Sequence, residues 1–244
     1  MDDLDHSRSK PEWTQKIFDD LHWLGLAWPE PVRFQSQETD TYQRALDALA
    51  RAGLIYPCCC NRADIAQAAA APQEGVPEFG PDGRIYPGTC RHRSLSQARP
   101  GDALRLDMRK AVKALQKPVT YEEFGEQHSK RITLKAEALI AQVGDVVLRR
   151  KDQGAAYHLA VVIDDDAQNI TDVVRGADLN AATQIHVVLQ QLLNIPTPRY
   201  HHHSLIRDET GKRLAKRSDS EALSSLRKAG HSAQDITERL FSAP

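Results

Sequence analysis

Three of the chain's four cysteines stand side by side, at Cys58, Cys59 and Cys60, and the fourth follows at Cys90. Adjacent cysteines are poor disulfide partners, because the bridge needs specific Cα and Cβ separations. The opening decapeptide MDDLDHSRSK is acidic and polar, unlike a secretory signal. With nothing sending the chain to an oxidising compartment, the cluster reads as metal-binding or catalytic. The two thiolates of the C-x-C turn, Cys58 and Cys60, can face one ion, and structural Zn²⁺ sites close with four S, N or O donors. Tyr86, four residues before Cys90, offers a phenolate oxygen. His92, two residues after Cys90, offers an imidazole nitrogen. Inert buried thiols are the plainer alternative. Cys59 points away from its neighbours in most turn geometries and is expected to be spare.

The rest of the composition narrows the setting. A chain of 244 residues fits one large or two modest domains. No apolar run is long enough to cross a bilayer, so a cytoplasmic protein without membrane contact is expected, and a monomer. The net charge of −1 excludes a general polyanion binder. Basic residues nevertheless cluster in RLDMRK, HSKRITLK, VLRRK and GKRLAKR, and such patches can hold phosphates without a basic pI.

Hydrophobic periodicity organises the chain. Pro11 suits a first helical turn, and Trp13, Ile17, Leu21 and Leu24 then recur at helical spacing. TYQRALDALARAG places Tyr42, Leu46, Leu49 and Ala50 on one helical face, stopped by Gly53. The Ala-, Pro- and Gly-rich run after the cysteines reads as a loop. From about residue 102, ALRLDM, RITLK and DVVLRR alternate as strands, and the continuous apolar run of HLAVVIDDD predicts a strand covered on both faces. ATQIHVVLQQLL predicts a helix, IPTPRYHHHSLI a break followed by a strand, and the C-terminus two helices separated by Gly230. This order argues for an α/β domain with a parallel sheet and an inserted subdomain around the cysteines.

The segments from DDLDHSR through PEW and WLGL to the C-x-C turn resemble, in colinear order, the catalytic domain of class I glutamyl-tRNA synthetases. GDVVLRRKDQGAAYHLAVVIDDDAQNITDVVRGADL and GKRLAKR extend the resemblance over nearly the whole chain. Within that family the short branch without an anticodon-binding domain, the glutamyl-Q tRNA(Asp) synthetases, is the nearest in wording, and its members also end soon after the lysine loop. The resemblance implies a Rossmann-type domain that activates glutamate with ATP and Mg²⁺. It then transfers the glutamyl group to queuosine in the anticodon of tRNA(Asp). It implies a zinc site of Cys58, Cys60, Tyr86 and Cys90. The longer synthetases can carry C-x-C with C-x-H, which Cys90 and His92 also fit.

Site residues follow by position within the matching motifs. Arg175 in VVRGADL matches the glutamate-binding arginine, and a guanidinium can clamp a carboxylate. Tyr157 matches the tyrosine that contacts the amino acid. Asp2 stands where the family has a glutamate for the ammonium group, one methylene shorter. Lys216, in Arg213-Leu214-Ala215-Lys216-Arg217, holds the second lysine position of the lysine loop, which neutralises the leaving pyrophosphate. Arg213 replaces the first lysine of that loop and Ala215 its serine.

The family's H-x-G-H turn, which cradles ATP phosphates at a helix N-terminus, precedes the segment that begins here at Met1. The expectation is therefore a Rossmann domain without its first strand and helix, a unit of roughly 30 residues. The chain as given is then not expected to make the adenylate. The expected domains are 1–54 (remaining N-terminal Rossmann part), 55–100 (zinc-binding insertion), 101–217 (rest of the catalytic domain with the lysine loop) and 218–244 (terminal helices). Two alternatives are a fragment of a longer glutamyl-tRNA synthetase and a non-catalytic, zinc-stabilised RNA-binding paralogue.

Overall fold

A computed structural model describes residues 1–5, 7–68, 77–125, 129–151, 154–207 and 222–242. Helices α1 (Pro11–Trp23) and α2 (Thr39–Arg51) precede strand β1 (Ile55–Cys58). Helix α3 (Arg62–Ala68) and the short antiparallel pair β2 (Phe79–Gly80) and β3 (Gly83–Arg84) follow. Next come β4 (Ala103–Leu106), α4 (Met108–Ala114), β5 (Val119–Phe124) and β6 (Ser129–Leu134). Helix α5 (Ala136–Ala138) runs into a π-helical turn (Leu139–Val143) and leads to β7 (Val147–Arg150) and β8 (Gly154–Ala155). The chain continues through α6 (Tyr157–Ala167), β9 (Asp172–Gly176), α7 (Thr183–Leu192), β10 (Arg199–His203), α8 (Leu223–Lys228) and α9 (Ala233–Ser242).

Two compact units emerge. The first comprises 1–34 and 204–244 and the second 35–203. In the first, Pro11 opens α1 as expected. Trp28 stacks on Phe18 at 5.4 Å between ring centroids and lies 4.5 Å from the His22 ring. Gly230, at φ +93°, separates α8 from α9 in a backbone conformation that side chains rarely adopt.

The second unit holds two four-stranded sheets. One, in the order β1-β4-β7-β8, is antiparallel throughout. The other, in the order β6-β5-β10-β9, is parallel across β5, β10 and β9, with β6 antiparallel at its edge. The expected parallel sheet is thus three strands wide. ALRLDM and DVVLRR belong instead to the antiparallel sheet that carries the first cysteines, and Cys58 pairs with Ala103. The cysteine-bearing segment is therefore stitched into residues beyond position 100.

The segment HLAVVIDDD is a correction. It forms helix α6, not a strand. Leu159, Ala160, Val162 and Ile163 are all buried. A helix enclosed on nearly every side shows the same unbroken apolar run as a covered strand. Helix α2 follows its pattern, burying Tyr42, Ala45, Leu46 and Leu49. It ends where Gly53, at φ +69°, lets the N–H of Leu54 reach the Leu49 carbonyl and its own N–H reach Ala50, a Schellman closure. Its Tyr42 hydroxyl donates to the buried carboxylate of Asp164 on α6, which also accepts from Gln35. Among the described residues no helix is long and apolar enough to cross a membrane.

Candidate functional site

Strand β1 ends at Cys58, and the chain turns at once, so Cys58 and Cys60 face the loop that carries Tyr86 and Cys90. The Sγ atoms of Cys58, Cys60 and Cys90 lie within 4.8 Å of one another. Cys60 and Cys90 are 3.6 Å apart, and the Tyr86 oxygen is 3.4 Å from the sulfurs of both Cys58 and Cys60. A tetrahedral zinc with Zn–S near 2.3 Å and Zn–O near 2.0 Å has S···S edges of about 3.8 Å and S···O edges of about 3.5 Å. The donor spacing fits such an ion. The backbone N–H of Cys90 donates to the Tyr86 oxygen at 2.8 Å, which fixes the Y-x-x-x-C loop. His92 is exposed and gives no atom to the cluster. Cys59 is exposed too, with its sulfur 3.8 Å from that of Cys90 but outside the three-thiol group.

Burial raises the Tyr86 phenol, and the adjacent thiols add to that; burial likewise lifts Cys60 to about 11. Burial also opposes the Cys90 thiolate, but hydrogen bonds centred on Tyr86 and the Cys59 backbone outweigh it and bring Cys90 to about 6. A buried carboxylate braces this loop. Asp145 accepts from the Tyr56 hydroxyl at 2.5 Å, from Nε and Nη2 of Arg91 at 2.8 Å each, and from the Met108 N–H at 2.9 Å.

The second constellation centres on Arg175 of β9. Its Nη2 donates to Thr183 Oγ1 at 2.7 Å and to the Leu179 carbonyl at 3.3 Å. Its Nη1 lies 3.1 Å from His186 Nδ1, and its Nε donates to His202 Nε2 at 3.2 Å. Arginine has no acceptor, so these contacts set the tautomers. His186 accepts at Nδ1, carries its proton on Nε2, and donates to His158 Nδ1 at 3.1 Å. His158 then carries its proton on Nε2, which points to Asp82 at 3.4 Å. On the other side His202 is protonated at Nδ1 and donates to Glu123 at 2.8 Å. Burial holds His186 well below its ordinary pKa, and the Arg175 guanidinium on its other face adds to that. A neutral His186 is what the chain of donors requires.

Tyr157, the first residue of α6, packs its ring edge-on against His186 at 5.7 Å and His158 at 5.4 Å. It borders an open pocket of about 860 Å³ that Asp82, Arg150, His158 and Asp178 also line. His186 thus joins Tyr157 to Arg175, two residues singled out in the sequence. Asp2 is exposed and belongs to the other unit. Lys216 and its loop, 213–217, lie outside the described residues. Sequence reasoning missed His158, His186, His202 and Thr183. The available signal was a histidine set inside an apolar helical run, as in both HLAVVI and QIHVVL.

A family model for the catalytic domain of class I tRNA synthetases (E and Q) matches residues 1–241. The chain belongs to this family. Its relatives are ligases of the aminoacyl-tRNA synthetase type. The family member named glutamyl-Q tRNA(Asp) synthetase in Rhodobacter capsulatus is 50% identical over 239 residues, covering 97% of this chain and 84% of the relative. One of the same name in Nitratidesulfovibrio vulgaris is 38% identical over 253 residues, covering 97% of this chain and 72% of that protein. Among solved structures, a glutamate tRNA ligase from Elizabethkingia meningosepticum, in complex with its amino acid, superposes with a TM-score of 0.62. It is 21% identical, and the match covers 95% of this chain and 46% of that one. The chain thus spans less than half the length of that ligase, and the likeness establishes the fold of a class I synthetase catalytic domain.

Proposed function

We propose that the chain carries the glutamate-activating centre of a glutamyl-Q tRNA(Asp) synthetase. Such an enzyme condenses glutamate with ATP and passes the glutamyl group to queuosine in the anticodon of tRNA(Asp). The observation that carries this reading is the chain-wide identity to relatives of that name. The Arg175 constellation supplies the chemistry. A guanidinium has five N–H donors, and contacts among the described residues account for four of Arg175's. The remaining Nη1 hydrogen is the one available to a substrate carboxylate, in a charge-assisted hydrogen bond. The four anchored donors fix its direction, so the carboxylate meets a preorganised charge. Tyr157 contacts the amino acid from the pocket wall. Lys216 neutralises the charge that develops on the departing pyrophosphate, and ATP arrives with Mg²⁺.

Zinc, held by Cys58, Cys60, Cys90 and Tyr86, would supply no reaction step. It would clamp the C-x-C turn to the Tyr86–Cys90 loop. The first test is glutamate-dependent exchange of labelled pyrophosphate into ATP, run on an N-terminally extended form that carries the family's H-x-G-H turn. Arg175→Lys keeps the charge but loses the flat fork and should raise KM for glutamate at least tenfold, with a smaller rise for Tyr157→Phe. An unchanged KM in the Arg175 variant would remove that residue from the substrate site.

A further inference from the structure

The cysteine cluster is joined by a cation from the opposite strand. Arg105 lies in β4, in register with Tyr56 of β1. It is only 8% exposed. Its Nε donates to Cys58 Sγ at 3.4 Å, its Nη1 donates to the Asp145 main-chain carbonyl at 3.1 Å, and its guanidinium lies 4.1 Å from the centre of the Tyr86 ring. Among the described residues no carboxylate forms an ion pair with it. The nearby Asp145 carboxylate is engaged by Arg91 instead. A buried guanidinium without an anion beside it is strongly destabilising. At the cluster, among the described residues, Arg105 touches the Cys58 sulfur and the face of the Tyr86 ring.

We propose that Arg105 is the built-in counter-charge of the metal centre, holding Cys58 and Tyr86 as an anionic donor pair for the ion. The inference rests on the zinc reading above. Three thiolates and a phenolate around a divalent ion carry a net charge of about −2, because each ligating group binds in its deprotonated form. One buried guanidinium halves that excess. Its N–H···S bond directs the Cys58 lone pairs, and its stack on the Tyr86 face turns the ring so that the oxygen points at the sulfurs. Partners that orient ligands from outside the coordination sphere in this way commonly govern metal affinity by 10- to 100-fold.

The test is zinc affinity of the purified full chain, measured by competition with a chromophoric chelator. Arg105→Met, similar in length but uncharged, should weaken zinc binding by roughly 10- to 100-fold. Cobalt(II) gives an independent signature. Loss of the N–H···S bond makes the thiolate a richer electron donor, so the sulfur-to-cobalt charge-transfer band should move to longer wavelength. A merely structural residue would not move that band. Arg105→Lys keeps the charge without the fork and should fall between wild type and Arg105→Met in affinity, with the band still shifted; it decides the matter if Arg105→Met does not fold. Zinc affinity within twofold of wild type and an unshifted cobalt band in either folded variant would overturn the role of Arg105 while leaving the zinc site intact. A wild-type chain that binds no zinc would overturn the zinc reading and, with it, this inference.

Discussion

His186 gives the most quantitative test of the network around Arg175. It is almost wholly buried on α7, with His158 on one ring nitrogen and the Arg175 fork on the other. Burial and these neighbours depress its pKa well below 6.5 in the folded state. The folded value is the lower one, so the stability it contributes is fully present above 6.5 and is lost as the pH falls toward the folded pKa. In the unfolded chain the same imidazole takes up a proton near 6.5. Below that point each pH unit costs about 1.4 kcal/mol. Between pH 7.5 and 5.5 the loss from this one residue is on the order of 1 kcal/mol. His186→Asn keeps an acceptor for Arg175 but cannot titrate. It gives up the hydrogen bond to His158, which costs roughly 1 kcal/mol at every pH. Urea unfolding of both proteins at pH 7.5, 6.5 and 5.5 separates the two effects. The wild type should lose on the order of 1 kcal/mol more than the variant over that range. Parallel pH profiles would refute both the buried neutral His186 and the tautomer chain that depends on it.

Other perturbations probe separate parts of the structure. Asp165 has its carboxyl raised to about 6 by burial and by the adjacent Asp164. Its folded pKa is the higher one, so its contribution is present below about 4 and lost as the pH rises through 6. Asp165→Asn should therefore gain about 1 kcal/mol on wild type at pH 7.5, after discounting for its partial exposure, and about a third of that at pH 4.5; equal gains at both pH values would contradict this. Asp145→Ala strands Arg91 and the Tyr56 hydroxyl and should cost about 3–5 kcal/mol, a fall in melting temperature of roughly 6–20 °C. A shift under 2 °C by circular dichroism would show that the brace is dispensable. Serine at Cys58, Cys60 or Cys90, and phenylalanine at Tyr86, should each lower zinc content measured by elemental mass spectrometry. Cys59→Ser and His92→Ala should keep it, and full zinc in every ligand variant would dispose of the site.

The periodic helices were legible because one face of each carries its own pattern: Tyr42, Leu46 and Leu49 in α2, with Gly53 supplying the left-handed stop. Helix α6 was not, since LAVVI is apolar all round and only length and tertiary context separate a buried helix from a covered strand. Strands β5 and β9 were also missed, because VTYEEF and DVVRG mix charge into short segments whose strand character comes from pairing with β10. The clustering of Cys58, Cys60 and Cys90 could be read from spacing because C-x-C is local, while spacing left Tyr86 and His92 equally open as a fourth donor. Arg105 could not, because its place over Tyr86 follows from the register of β4 against β1. In the same way Arg175 and Tyr157 stood out by resemblance, while the histidines that join them are 28 positions apart. Only the packing of α6 on α7 makes them neighbours.

The measurement that bears most directly on the proposed function is transfer of labelled glutamate to purified tRNAs in the presence of ATP, by an N-terminally extended form that carries the family's H-x-G-H turn. tRNA(Asp) carrying queuosine, tRNA(Asp) lacking it, and tRNA(Glu) should be compared side by side. The expected result is label on queuosine-containing tRNA(Asp) alone. Charging of tRNA(Glu) with comparable efficiency, or equal labelling of tRNA(Asp) with and without queuosine, would contradict it.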